Sequence, residues 1–204
     1  MDQFKYNQKD IEIPLLFSYL TSYPEKINST LVIGLEDATY LKRLKDLSKR
    51  VIGISQIVSE EDKKYLDEYY NESLFLLDPE PADFLISLSY LNKVGVVEAE
   101  NHLFEFYQLE YYQKMLDLFK KGFFVSFIYG QPNLYKNTYN VIHREMLDKM
   151  LKITPKKGLD VQFIASGNTE KVNSWEEIPQ KVADTFYSDP YSKEKAICLI
   201  QIQK

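Results

Sequence analysis

Thr30-Leu31-Val32-Ile33-Gly34-Leu35-Glu36-Asp37-Ala38 decides how this chain is read. The run reads as a buried strand that passes through a sharp turn at Gly34 into a helix. The helix is marked by Tyr40, Leu41, Leu44 and Leu47, with Lys42, Arg43, Lys45 and Asp46 between them. Val51-Ile52-Gly53-Ile54-Ser55 begins seventeen residues after Gly34 and makes a second strand. Strand, turn, helix and strand at this spacing form the opening βαβ unit of a Rossmann-type sheet. The turn keeps one glycine, and the second strand ends on Ser55, where such sheets place an acid for a ribose.

Outward from this unit, apolar strands and amphipathic helices alternate. A lead-in helix is expected after Pro14 from Ile11, Ile13, Leu15, Leu16, Tyr19 and Leu20, within a lead-in segment 1–28. Ser59 before Glu60, Glu61 and Asp62 reads as a helix start, continued by Tyr65, Leu66 and Tyr69. Leu74–Leu77 is expected as a third strand and Phe84–Leu88 as a fourth. Leu109, Tyr112, Leu116 and Phe119 mark a long helix, with Gly122 as its left-handed cap after Lys120 and Lys121. Phe123–Ile128 reads as a fifth strand, and Met146, Leu147, Met150 and Leu151 as a helix stopped before Pro155. Val161–Ala165 and Ala196–Ile202 close the chain as an antiparallel pair. The expected fold is an α/β Rossmann-like three-layer sandwich in one domain, 1–204. Its sheet is mostly parallel and seven-stranded with an antiparallel C-terminal strand, and helices cover both faces.

Composition narrows the function classes. The 204 residues carry a net charge of −5 with both signs interspersed and no basic stripe, so a nucleic-acid partner is not expected. Sixteen Tyr and twelve Phe speak for an ordered core. Cys198 is the only cysteine and reads as a core residue. No apolar run has the length of a bilayer span and Met1–Lys5 does not start a signal peptide, so a soluble cytoplasmic protein is expected.

The order of these elements resembles the class I S-adenosylmethionine (SAM) methyltransferase fold, from about Ile11 to Gln203. Leu31-Val32-Ile33-Gly34 resembles that family's first motif, and Val51–Ser55 its second strand. Asp83-Phe84-Leu85-Ile86-Ser87-Leu88-Ser89 resembles its fourth-strand motif, and Leu116–Phe124 its helix-to-strand passage. Lys9-Asp10-Ile11-Glu12-Ile13-Pro14, Val94-Gly95 and Tyr139-Asn140-Val141-Ile142-His143-Arg144 are similar to a bacterial subgroup linked to sugar or surface-polysaccharide methylation.

The resemblance implies SAM as cofactor, held by Gly34, Leu35, Glu36, Ser55, Gln56, Asp78 and Ser87. Several positions depart from the pattern. Val32 stands where the family has an acid for the cofactor ammonium, and Glu36 and Ala38 where it has glycines. Glu36 either repels the cofactor carboxylate, by roughly 3 kcal/mol at about 5 Å and an effective dielectric near 20, or pairs with its ammonium. Ser55 offers a neutral partner in place of the ribose acid. Together these departures weaken binding by about 3–5 kcal/mol, or roughly 10²–10⁴ in affinity.

His143 is the candidate general base and Arg144 the candidate contact for an anionic acceptor, both implied near the pocket by their place after the fifth strand. The alternative is that His143 caps or packs the first turn of its helix. His102, with Glu98 and Glu100, is conceivable as a metal site, but a solvated cluster is the commoner meaning and no metal is expected. Asn92 and Lys93 stand where relatives carry Glu-His. The run Phe104, Phe106, Tyr107, Tyr111 and Tyr112 reads as helical core, with sugar or base stacking as the competing meaning. Trp175 and Tyr187–Tyr191 belong either to an acceptor wall or to a homodimer contact.

Two functions follow, methyl transfer to a small acceptor such as a sugar hydroxyl, or a non-catalytic binding or assembly role with a degenerate cofactor site. A nicotinamide-dependent enzyme would need a fuller glycine turn and an acid at Ser55.

Overall fold

The computed structural model describes residues 8–35, 39–95, 104–132, 134–135, 139–169, 172–188 and 194–204. The chain runs α1 (Lys9–Thr21), β1 (Ile27–Ile33), α2 (Leu41–Leu47), β2 (Ser48–Ile54), α3 (Glu60–Lys63), β3 (Glu68–Tyr70) and β4 (Ala82–Leu88). It continues with α4 (Phe104–Leu116), β5 (Phe119–Tyr129), β6 (Leu134–Tyr135), β7 (Tyr139–Asn140), α5 (Arg144–Ile153), β8 (Leu159–Thr169), β9 (Val172–Glu177), α6 (Gln180–Ala183) and β10 (Ala196–Gln203).

Eight strands form the main sheet in the order β3-β2-β1-β4-β5-β10-β8-β9. The first five are parallel, and β10 runs antiparallel between β5 and β8. The eighth strand, β9, pairs antiparallel with β8 through Ile164↔Glu177 to Thr169↔Val172, so the sheet is one strand wider than expected. Strand order reverses between β1 and β4, the switch point at which a crevice opens beyond the carboxyl ends of a doubly wound sheet.

Alternation along the strands divides the core. Leu31, Ile33, Leu85, Phe123, Val125 and Cys198 face α4 and α5. Val32, Phe84, Ile86, Phe124 and Leu199 face α1 and α2. Both faces are covered along β4, where all seven residues are buried. Among the described residues no helix is long and apolar enough to cross a membrane.

Four local expectations are corrected. Helix α1 starts at Lys9, five residues before Pro14, because tertiary bonds from Lys9 and Glu12 to β4 and β5 fix its first turn. The helix after Ser59 stops at Lys63. Asp67 then receives the Val51 N–H at 2.7 Å and turns the chain into β3, so Glu68–Tyr70 is the third strand. Leu74–Leu76 is a 3-10 turn that begins at Ser73, whose hydroxyl accepts from Phe75 N, and only Leu74 is fully buried. A short apolar run does not by itself distinguish these outcomes.

Gly122 lies inside β5 and caps no helix, since α4 ends at Leu116. A side chain there would run into the Phe84 ring and come within 2.7 Å of the Tyr19 hydroxyl. That hydroxyl donates to Ile202 O at 2.7 Å and accepts from Phe123 N at 3.1 Å, tying α1 to the sheet. The glycine therefore serves a close approach, which its sequence context does not reveal.

Candidate functional site

The switch point lies at the carboxyl ends of β1 and β4, and Gly34 follows β1 there. Gly34 has φ +80, a left-handed conformation that favours glycine. Its N–H donates to Ile54 O at 2.9 Å, which fixes the turn to the end of β2. The space a side chain would take is filled by Tyr90, whose Cβ lies 2.5 Å from where a Gly34 Cβ would sit, with ring carbons closer still. Leu35 turns into the core, 1% exposed, over the bare α-carbon of Gly53. Glu36 and Ala38 lie outside the described residues.

The other implied cofactor residues do not converge. Ser55 is buried, and its hydroxyl closes its own turn by donating to Ile57 O at 2.8 Å and accepting from Ile57 N at 3.2 Å. Gln56 and Asp78 are exposed. Ser87 is completely buried on the α4–α5 side of β4, below the strand end, and its hydroxyl has no partner.

A polar cluster that the sequence reading missed occupies the ends of β4 and β5. Glu12, on the buried face of α1, is fully enclosed. Its Oε1 accepts from Ser126 Oγ at 2.7 Å and from Ser89 Oγ. Ser89 has φ +55, uncommon for a residue with a side chain, and its N–H donates to Ser126 O at 2.9 Å. Lys9 Nζ lies 3.6 Å from Glu12 Oε2 and donates to Leu88 O at 2.8 Å. Glu12 Oε2 itself receives no hydrogen bond.

Tyr40, just before α2, is likewise buried with an unpartnered hydroxyl. Burial, then the charges of Glu12 and Asp62, push its phenol well above the ordinary range, so it stays a hydrogen-bond donor. The sequence did carry a signal for this cluster, because Glu12 falls on the helical stripe of Leu16, Tyr19 and Leu20.

Beyond β4, Asn92 is a clamp. Its amide donates to Ile128 O (3.0 Å) and Asn140 O (2.7 Å) and accepts from Ile128 N (2.8 Å). Asn140 donates in turn to Gln108, which donates to Leu91 O. Lys93 stands over the Tyr139 ring at 5.6 Å, and that tyrosine donates to Ser89 O at 3.1 Å. Burial and the nearby Lys9 charge lower the Lys93 ammonium from 10.5 to about 8.

His143 is the residue before α5, with extended backbone, and its side chain makes no capping bond. Nε2 lies 3.0 Å from Glu105 Oε1 on α4, and the same carboxylate lies 3.7 Å from Lys149. Arg144 points elsewhere, to Asp184 at 3.1 Å and Asp148 at 4.0 Å. The two neighbours in sequence therefore serve different contacts.

Tyr111 and Tyr112 are buried core, Tyr112 bonded to Thr154 at 2.8 Å, whereas Phe106 is exposed. Trp175 packs against the core on the α1 side, and Tyr187 is 80% exposed. Residues 189–191, together with Glu98, Glu100 and His102, lie outside the described residues. Among the described residues no group of His, Cys, Asp and Glu is placed to hold a metal.

No family model matches the chain, and no curated protein matches it either. Solved structures do. The N-methyltransferase NodS from Bradyrhizobium japonicum WM9, in complex with S-adenosyl-L-homocysteine (SAH), superposes with a TM-score of 0.59 at 11% identity, covering 98% of this chain and 89% of that one. Magnesium protoporphyrin IX methyltransferase from Synechocystis PCC 6803, with bound SAM, gives 0.56 at 13% identity over 100% and 86%. A SAM-dependent methyltransferase from Clostridium acetobutylicum ATCC 824 gives 0.58 at 8% identity over 98% and 94%. The chain has the class I SAM-dependent methyltransferase fold.

The residues fit such a cofactor unevenly. The left-handed turn at Gly34 and the unpartnered Glu12 and Tyr40 atoms at this edge suit a group with both donors and acceptors. At the end of β2, the Ser55 hydroxyl is already committed to its own turn.

Proposed function

We propose that the chain is a single methyltransferase-like domain that binds SAM at the carboxyl ends of β1 and β4 and transfers a methyl group to a small acceptor such as a sugar hydroxyl. What carries this reading is the likeness to SAM- and SAH-bound structures over nearly the whole chain. SAM supplies an already activated methyl group, so the protein's task is to position the acceptor and remove its proton. His143 is the base in this reading. Glu105, at 3.0 Å from Nε2, orients the ring and leaves Nδ1 to take the proton. Arg144, held by Asp184 at 3.1 Å, meets an anionic acceptor in this reading.

A second reading, a non-catalytic binding or assembly protein, draws on two observations. Tyr90 fills the space that Gly34 clears, and the Ser55 hydroxyl is spent on its own turn. Calorimetric titration with SAM and SAH separates the two. Heat of binding at micromolar to sub-millimolar concentration supports the first, and none at millimolar ligand leaves only the second. If binding is seen, His143→Ala should lower kcat by roughly 10²–10⁴ with unchanged affinity for SAH. An unchanged kcat removes His143 from the chemistry.

A further inference from the structure

Among the described residues, two of the three buried side-chain oxygens without a hydrogen-bond partner lie on the α1 side of the sheet, and the third, Ser87 Oγ, lies on the opposite face. Glu12 Oε2 and the Tyr40 hydroxyl are both enclosed and both lack a hydrogen-bond partner. Tyr40 belongs to one apolar cluster with Val32, Leu35 and Leu88, and the Glu12 charge acts on the Tyr40 phenol. The level is that of the turn, since Gly34 and Leu88 each lie two residues beyond the paired Val32 and Ile86. Lys9 donates to Leu88 O and lies 3.6 Å from Oε2, which has a neighbouring charge but no hydrogen bond. Ser89, strained at φ +55, holds the other carboxylate oxygen and fixes the direction of the first.

One atom here needs a donor and the other, a phenol kept protonated, has a proton to give. A zwitterionic α-amino acid head supplies both complements, an ammonium and a carboxylate. We propose that Glu12 and Tyr40 seat the amino-acid end of SAM, Glu12 Oε2 accepting from its ammonium and the Tyr40 hydroxyl donating to its carboxylate. This rests on the SAM-binding reading above and moves the acid missing at Val32 to the lead-in helix. It gives the compensating charge to Glu12 in place of Glu36.

The test is calorimetric titration of the full chain with SAH and with 5′-methylthioadenosine, which has the same nucleoside but no amino-acid end. Glu12→Gln keeps an oxygen for Ser89 and Ser126 and loses the charge. Its SAH affinity should fall on the order of 10- to 100-fold while that for methylthioadenosine is unchanged. Tyr40→Phe, which removes an unpartnered hydroxyl from a packed site, should weaken SAH alone by about 2- to 10-fold. It also decides the matter if Glu12→Gln fails to fold by circular dichroism. A wild-type chain that binds both ligands, with the same SAH preference in the variants, overturns the seat and spares the SAM reading. A wild-type chain that binds neither overturns both.

Discussion

Gly34→Ala tests how the turn is built. Two costs arise at this residue. Alanine at φ +80 is strained by about 1–2 kcal/mol. Its methyl group would also meet Tyr90, whose Cβ lies 2.5 Å from the new Cβ position and whose ring is held from the other side by Tyr111, centroid to centroid 6.1 Å. Overpacking of this kind costs about 1–3 kcal/mol. The sum is about 2–5 kcal/mol, and for a chain of 204 residues each kcal/mol moves Tm by about 2–4 °C. A fall of about 4–20 °C is expected. Urea unfolding of Gly34→Ala in wild-type and Tyr90→Ala backgrounds separates the two contributions. Without the ring the alanine should cost only the backbone strain and a residual Cβ contact, so the pair should be coupled by about 1–2 kcal/mol. Additivity within about 0.5 kcal/mol would show that Tyr90 does not fill the space over the turn.

Two further outcomes bear on the fold and its charges. Gly122→Ala should destabilise by about 1–3 kcal/mol in denaturant titration, because its methyl group meets Phe84 inside the sheet; a neutral result would place Gly122 outside the packed strand. Lys93 has its folded pKa near 8 against 10.5 unfolded, so the unfolded chain binds more protons between those values and stability rises with pH across that window. Lys93→Met should lack this rise while sharing every other titration, so the wild type should gain on the variant from pH 8 to 10.5 in urea midpoints; parallel profiles would mean that the ammonium is not desolvated.

The strands at the centre of the sheet were legible because each is a nearly continuous apolar run, buried on both faces, with a turn or helix pattern on either side. Thr30–Ile33, Val51–Ile54, Phe84–Leu88 and Phe123–Ile128 are of this kind. What was not legible depended on partners far away in the chain. Glu68–Tyr70 is a strand because Asp67 bonds to Val51, and Gly122 is needed because Phe84 and Tyr19 press on it. Helix α1 begins early because Lys9 and Glu12 reach residues more than 75 positions on. The candidate site was legible only in outline. Its family positions were assigned from the order of the elements, but the bonds that commit Ser55 to its own turn and send Arg144 to Asp184 are tertiary facts.

Gly34 and Glu12 invert the weight that a motif reading gives them. Glycine is required at position 34 by φ +80 and by the Tyr90 ring, whether or not anything binds beyond it. Its presence therefore carries information about the fold and little about a ligand. Glu12 also helps to fix the first turn of α1, but that role uses only one of its two oxygens. An apolar residue would continue the stripe of Leu16, Tyr19 and Leu20, and burying a carboxylate costs several kcal/mol unless its oxygens are matched. One oxygen is matched by two serines, and the other is left with a cation 3.6 Å away and no donor. A charge retained at that cost, incompletely bonded, at the edge where the strand order reverses, is what a binding site adds to a fold. The proposed seat for the amino-acid head therefore lies on the lead-in helix, outside the turn where the family motif would place it.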